Sequence, residues 1–379
     1  MAKLSEILLN KALTGKGVAA IRYWINNRFV RKIPGRGLSE QNYTAKDKER
    51  VETAITKADL DEAIFENDEY ILSPDEINVI LGEVESAEDF LAALEDCEAV
   101  TLGADIVLDT PVTFDKDMTI ELDGYTLTGT AAAKNANLFT VDGAKLTLIG
   151  PGTLNVNGRI AQAVNGGEIV IEGGDYISND VGFTAGIDGK VTLNGGTIQA
   201  VEGGIIAPSG NGVIEVNDGS IDVSDNFALG TNGSAGRGGN TITINGGELT
   251  GNITSAGYEA IAIYIANSDK LVMNDGIVRA NGGAGLCMRG GEVTINGGEI
   301  IATTGPNVPG YIGDKKTQMN ASAIIYDYNS NYPGRDDMSL TVNDGTFTGA
   351  DHALEVLSDE ETPNVTVNGG TFSPAYPEN

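Results

Sequence analysis

The residues able to do acid–base work in this chain are mostly carboxylates: 379 residues hold 54 Asp and Glu, a single His and two Cys. Cleavage of a glycosidic bond takes two carboxyl groups flanking that bond, one protonated and one ionised. Among so many acids, pairs meet by chance, so a pair matters only where other functional side chains join it. Asp327 in IIYDY, and Asp336 and Asp337 after Arg335, meet that condition because Tyr326, Tyr328 and Tyr332 share the stretch. Together with Tyr311, these tyrosines also fit glycan binding, in which ring faces stack on sugar C–H surfaces and neighbouring Asn and Asp meet the hydroxyls. An ordinary amphipathic surface, with Tyr326 partly buried, fits them equally well. His352, in DHAL, reads as a structural residue near a strand start, and no catalytic residue is assigned.

Cofactor and metal motifs are missing. GKG at 15–17 lacks the glycine spacing and the Ser or Thr of a phosphate loop, and neither CxxC nor HExxH occurs. The glycine-rich corners do not follow the nonapeptide of calcium-binding β-rolls. Neither a metal nor a cofactor is expected. Cys97 and Cys287 lie 190 residues apart and read as two buried thiols, Cys287 on an inward strand position.

The elements that must position these side chains are written repeatedly: TITINGGEL at 241–249, VTINGGEI at 293–300, LTVNDGTF at 340–347, VTVNGGTF at 365–372. The first turn residues (Asp123, Gly150, Glu172, Asn194, Asn217, Asn245, Asn274, Asn296, Asn343, Asn368) are spaced by 27, 22, 22, 23, 28, 29, 22, 47 and 25. Such a period belongs to one supersecondary unit stacked on the next. Apolar residues hold one register around each turn, as in Val191, Leu193, Ile198; Ile214, Val216, Ile221; Leu271, Met273, Val278; and Leu340, Val342, Phe347. Two inward residues separated by one outward residue is strand periodicity. The corner needs φ > 0, which Gly enters freely and Asn or Asp tolerates.

A further strand precedes each corner phrase, in AIAIYIA at 260–266, GAGLCM at 283–288, SAIIYDY at 322–328 and HALEVL at 352–357. With the short strand after the corner, each unit holds three strands in about 22 residues, the coil of a parallel β-helix. The expected fold is mainly β: about ten three-stranded coils, right-handed as is usual, over 99–379. The 47-residue spacing reads as two coils with an insertion at 303–320, and the longer spacings place loops near 230–240 and 251–258.

Ahead of the coils the pattern changes. Ser86 with Asp89 three residues later opens a helix at 86–98 through Phe90, Leu91 and Leu94, expected to cap the first coil. Residues 51–85 read as a linker or small helical region, with helices at 46–56 and 75–82. Residues 2–12 read as a short helix and 21–34 as a hairpin turning at Asn26–Asn27, or alternatively as a helix through Val18, Ile21 and Ile25. A basic arm, 1–50, holds 11 Lys or Arg against 4 Asp or Glu, whereas the other 329 residues hold 13 against 50, for −30 overall. The acidic part should repel nucleic acid and anionic membranes, while the arm suits an acidic partner. Arg22, Trp24, Arg28, Phe29, Arg31 and Lys32 are the expected anchor, since 35 residues cannot bury such a surface alone. No apolar run approaches the ~18 residues of a membrane-spanning helix, and the N-terminus lacks a signal-peptide pattern.

KIPGRGLSEQNYTAKDKERVE at 32–52 carries Lys32, Pro34, Gly35, Gly37, Leu38, Ser39, Asn42, Tyr43, Thr44, Asp47 and Lys48. It resembles a peptide recurring in bacteriophage head, tail and baseplate fibre proteins, roughly K-x-P-G-K-G-L-S-x-x-D/N-Y-T-x-x-D/E-K. Arg36, Gln41 and Asn42 are small departures from it. In that family the peptide lies near the virion-attached N-terminus, before a variable distal part. The β-helix expected here is also similar to phage tailspikes and the pectin lyase superfamily, although the NTD, DD with GHG, and RIK signatures of polygalacturonases are absent as a set. The resemblance implies a structural protein of the virion surface, a head fibre or capsid decoration fibre that docks on capsid or other virion proteins. It implies a homotrimer, with a dimer as second choice, and attachment to a host surface or glycan. A polysaccharide-depolymerising tail fibre or tailspike is the alternative, and a non-viral adhesin is a third, disfavoured reading.

Overall fold

Short runs in which apolar and polar residues alternate, each closed by a glycine corner, fold here into coils of three strands. Lys190–Leu193, Thr197–Ala200 and Gly203–Ala207 make one such coil. The computed structural model describes residues 83–130, 133–252, 261–304, 309–312, 315–318, 320–358 and 362–374. The expected elements before residue 83, and with them the anchor residues Arg22, Trp24, Arg28, Phe29, Arg31 and Lys32, lie outside the described residues.

The chain divides into two units. In the first, strands Glu83–Val84, Ala99–Leu102 and Met118–Glu121 pair in parallel, Val84 with Leu102 and Val100 with Ile120. The helix predicted at 86–98 spans Ala87–Asp96. Its cap is as expected: the Ser86 hydroxyl accepts from the Asp89 N–H (3.1 Å) and donates to the Asp89 carboxylate (2.6 Å). Phe90, Ala93 and Leu94 are buried on the face turned to its neighbouring strands.

The second unit, Val107–Asp117 and Leu122–Asn379, is a parallel β-solenoid of about ten coils in three sheets. Equivalent strands of successive coils pair without slippage: Val191 lies between Ile169 and Ile214, and Ile198 between Tyr176 and Ile221. All the inward residues named from the periodicity are buried, none more than 1% exposed. A one-residue slip would turn each of these stacks outward, so the aliphatic core itself fixes the register.

One expectation about the coils is corrected. The 47-residue spacing is one coil, not two: Glu292–Ile295 pairs directly with Ser339–Val342, and Glu299–Thr303 with Thr346–Gly349. The additional length goes into two excursions from that coil, one holding the antiparallel pair Pro309–Ile312 and Lys315–Gln318, the other spanning 329–338. The corners turn through φ > 0 as expected, and the left-handed residue is the third one: Gly196, Gly219, Gly247, Gly276, Gly298, Gly345 and Gly370 have φ between 86° and 127°. The leading Asn serves through its side chain. Asn194 donates to Glu172 (3.2 Å), Asn217 to Asn194, Asn245 to Asn217, Asn274 to Asn245, Asn296 to Asn274, Asn343 to Asn296 and Asn368 to Asn343, the last six at 2.7–2.8 Å. Where the second corner residue is Asp, its carboxylate accepts from the following glycine N–H, as Asp218 does from Gly219 at 2.7 Å.

Candidate functional site

The side chains with chemistry gather on the outer face of the sheet that contains Phe227–Thr231, Ile261–Ile265, Ala284–Met288 and Ser322–Tyr328. Strand alternation decides who arrives there. Leu286 and Met288 point into the coil, so Cys287 points out, contrary to its expected inward place; there it is buried with Ile261, Ala284 and Ile325. Tyr264 lies beside Cys287 across the sheet and stacks on Phe227, centroids 5.2 Å apart.

Arg289 stands just past Ala284–Met288, and Asp327 is the next-to-last residue of Ser322–Tyr328. Their side chains meet at 2.8 Å, Nε to Oδ2, at 8% and 4% exposure. The guanidinium also lies 5.8 Å from the ring centres of both Tyr264 and Tyr332. The Tyr332 hydroxyl reaches the same carboxylate oxygen at 3.5 Å. Burial first, and the Asp327 charge second, push that hydroxyl well above its ordinary pKa, so Tyr332 stays protonated and can only donate to Asp327.

Two loops converge on this cluster. The 232–240 loop packs near Tyr264, where a Cβ on Gly233 would sit 2.9 Å from the tyrosine hydroxyl, and Asn267 donates to the Ser234 carbonyl at 2.7 Å. The 329–338 loop carries Tyr332 and is seated by Gly334, whose φ is 74°. A Cβ there would lie 2.1 Å from the Asn267 backbone carbon, so only glycine admits this approach.

The expected site residues separate. Tyr332 joins the cluster, and Tyr328 ends its strand half-buried. Tyr326 is 1% exposed, its hydroxyl 3.5 Å from the Met338 carbonyl, which makes it a core residue and removes it from any ligand surface. For Tyr311 the backbone pairs with Lys316 in the antiparallel excursion. Arg289 and Tyr264 were not singled out from sequence, because they lie 38 and 63 residues from Asp327 and meet it only by coil stacking. The signal was a lone Arg directly after the apolar strand AGLCM.

For acid–base chemistry the arrangement is poorly suited. Asp327 is held by Arg289 and Tyr332, Glu355 accepts from both Asn320 and Ser322 at 2.7 Å, and Asp336 lies against Arg335. Burial does raise the pKa of Asp269, but that residue is fully enclosed beneath Asn240 and cannot reach a polymer. His352 is exposed at the start of His352–Ser358, beside an open depression lined by Leu354, Val367 and Phe372. Among the described residues no three His, Cys, Asp or Glu side chains converge as a metal-binding group, and no helix is long and apolar enough to cross a membrane. The cluster is an aromatic shelf of Tyr264 and Tyr332 around the buried Arg289–Asp327 pair, on a loop that also carries Asn329, Asn331 and Arg335. No family model, curated protein or solved structure matches the chain.

Proposed function

We propose that this chain is a bacteriophage virion structural protein, a head fibre or capsid decoration fibre whose basic N-terminal arm docks on the capsid while the β-solenoid projects. The observation that carries the reading is the fibre-type peptide at 32–52, which makes up the end of the basic arm ahead of the coils. The physical design is compatible with it. Parallel sheets tie each coil to the next, and a side-chain ladder joins the corners from Glu172 to Asn368, which suits a stiff projecting element. Loops displayed from such a scaffold are the usual place for recognition, and the shelf around Tyr332 would meet a glycan or host surface. Copies assemble as a homotrimer on this reading, with the arm's Arg22, Trp24, Arg28, Phe29, Arg31 and Lys32 facing an acidic neighbour.

Gold-labelled antibody against 99–379, applied to intact particles in electron microscopy, tests the location. Label on the capsid surface is expected, and label only at the tail would transfer the protein to the tail-fibre class. Charge reversal at Arg28 and Arg31 should release the protein from particles without altering solenoid melting. Retention of that variant at wild-type copy number would remove the arm from the anchoring role.

A further inference from the structure

Nine Asn–Gly pairs occur in the chain. This dipeptide is chemically labile because the glycine carries no Cβ to keep its backbone nitrogen away from the preceding side-chain carbonyl. In the reaction that nitrogen attacks Asn Cγ, forming an N–Cγ bond as the Cγ–Nδ2 bond breaks. Ammonia leaves with the proton lost by the glycine nitrogen. Water then opens the cyclic imide at either carbonyl, yielding aspartate or isoaspartate, so one water is consumed and one ammonia released without oxidant or reductant.

The fold treats the nine pairs differently. Asn194, Asn245, Asn296 and Asn368 donate Nδ2 along the corner ladder. Asn281 donates to Asn252 at 2.6 Å, Asn165 to Asp142 at 2.8 Å and Asn211 to Asp188 at 3.0 Å. In these seven the side chain is tied to the preceding coil, and Cγ reaches its own following nitrogen only after that bond opens. The remaining two are Asn157 and Asn232. Asn157 is exposed and accepts from Asn179 at 3.1 Å, while Asn232 is half-buried and accepts from the Ser234 N–H at 2.9 Å, which folds its side chain over the following peptide. Neither donates its Nδ2 to any described residue.

We propose that Asn157 and Asn232 are sites of spontaneous conversion to aspartate and isoaspartate in the folded protein, and that the inter-coil bonds protect the other seven pairs. The protection matters for the ladder itself, since an aspartate there would set a carboxylate against the oxygen of the coil below.

The full chain is incubated in mildly alkaline buffer, folded and in denaturant, and followed by peptide mapping with mass spectrometry and by isoaspartyl methyltransferase labelling. In the folded sample Asn157 and Asn232 should convert at least about tenfold faster than the laddered pairs, a ratio that collapses in denaturant. Equal folded rates at Asn194 or Asn296 and at Asn157 or Asn232 overturn the proposal. A second variant, Asn217→Ala, removes the acceptor of Asn245 and a donor to Asn194 while leaving the Asn194 bond to Glu172 in place, and should accelerate conversion at Asn245. An unchanged rate at Asn245 in a folded variant would show that the ladder bond is not the protecting element.

Discussion

Asn343 donates its side-chain amide to Asn296 across 2.8 Å although 47 residues of chain separate them, more than twice the ordinary coil length. Two excursions leave the solenoid between these residues, and the corner closes over them as if they were absent. Loop length is inexpensive in entropy once the ends are fixed, with each doubling costing about 0.6 kcal/mol. The coil can therefore carry the loop that holds Tyr332 without interrupting its own core.

Asn296→Ala removes a donor to Asn274 and an acceptor for Asn343 in one step. A loss of about 1–2 kcal/mol is expected, because each bond contributes ~1 kcal/mol net and the exposed corner lets water replace part of it. Denaturant unfolding measures this, and a variant as stable as the parent would reduce the ladder to a geometric by-product of stacking.

Ile244→Asp places a charge in the stacked core between Val216 and Met273, where every neighbour is apolar and buried. Thermal unfolding should show a loss of more than ~3 kcal/mol, or failure to fold. An unchanged melting curve would mean that the inward register is misassigned.

Arg289→Met leaves the Asp327 carboxylate enclosed without its cation. Breaking such a buried pair from one side destabilises by about 3–5 kcal/mol, whereas Arg289→Met with Asp327→Leu should recover most of the loss. Equal stability of the single and double variants would show that Asp327 is hydrated in solution.

Asp269 links pH to stability. It is buried, accepts the Asn240 N–H and side-chain amide at 2.8 Å each, and its pKa is raised chiefly by burial. A carboxyl with a raised folded pKa binds its proton more tightly in the folded chain. Its stabilising contribution is thus complete below the ordinary carboxylate pKa and fades as pH climbs through the folded value. Asp269→Asn keeps an acceptor for Asn240 and abolishes the titration. The stability of the variant relative to the parent should rise between acid and neutral pH, as read by urea unfolding across that range, and a constant difference would contradict the assignment.

The repeat period, the inward triads and the helix cap at Ser86 were all legible in the amino-acid order, because each depends on residues within one coil of each other. Val191, Leu193 and Ile198 declare their faces by spacing alone, and a glycine at the third corner position declares a left-handed turn. Tertiary structure decided what spacing cannot express. Whether 47 residues make one coil or two depends on which strand Glu292–Ile295 finds beside it, a pairing across the excursions. Tyr326 and Tyr332, six residues apart, went to opposite environments because alternation sent one inward while Gly334 seated the loop that holds the other. Arg289 met Asp327 only when one coil was laid upon the next, since stacking brings together side chains whose separation along the chain carries no local signal.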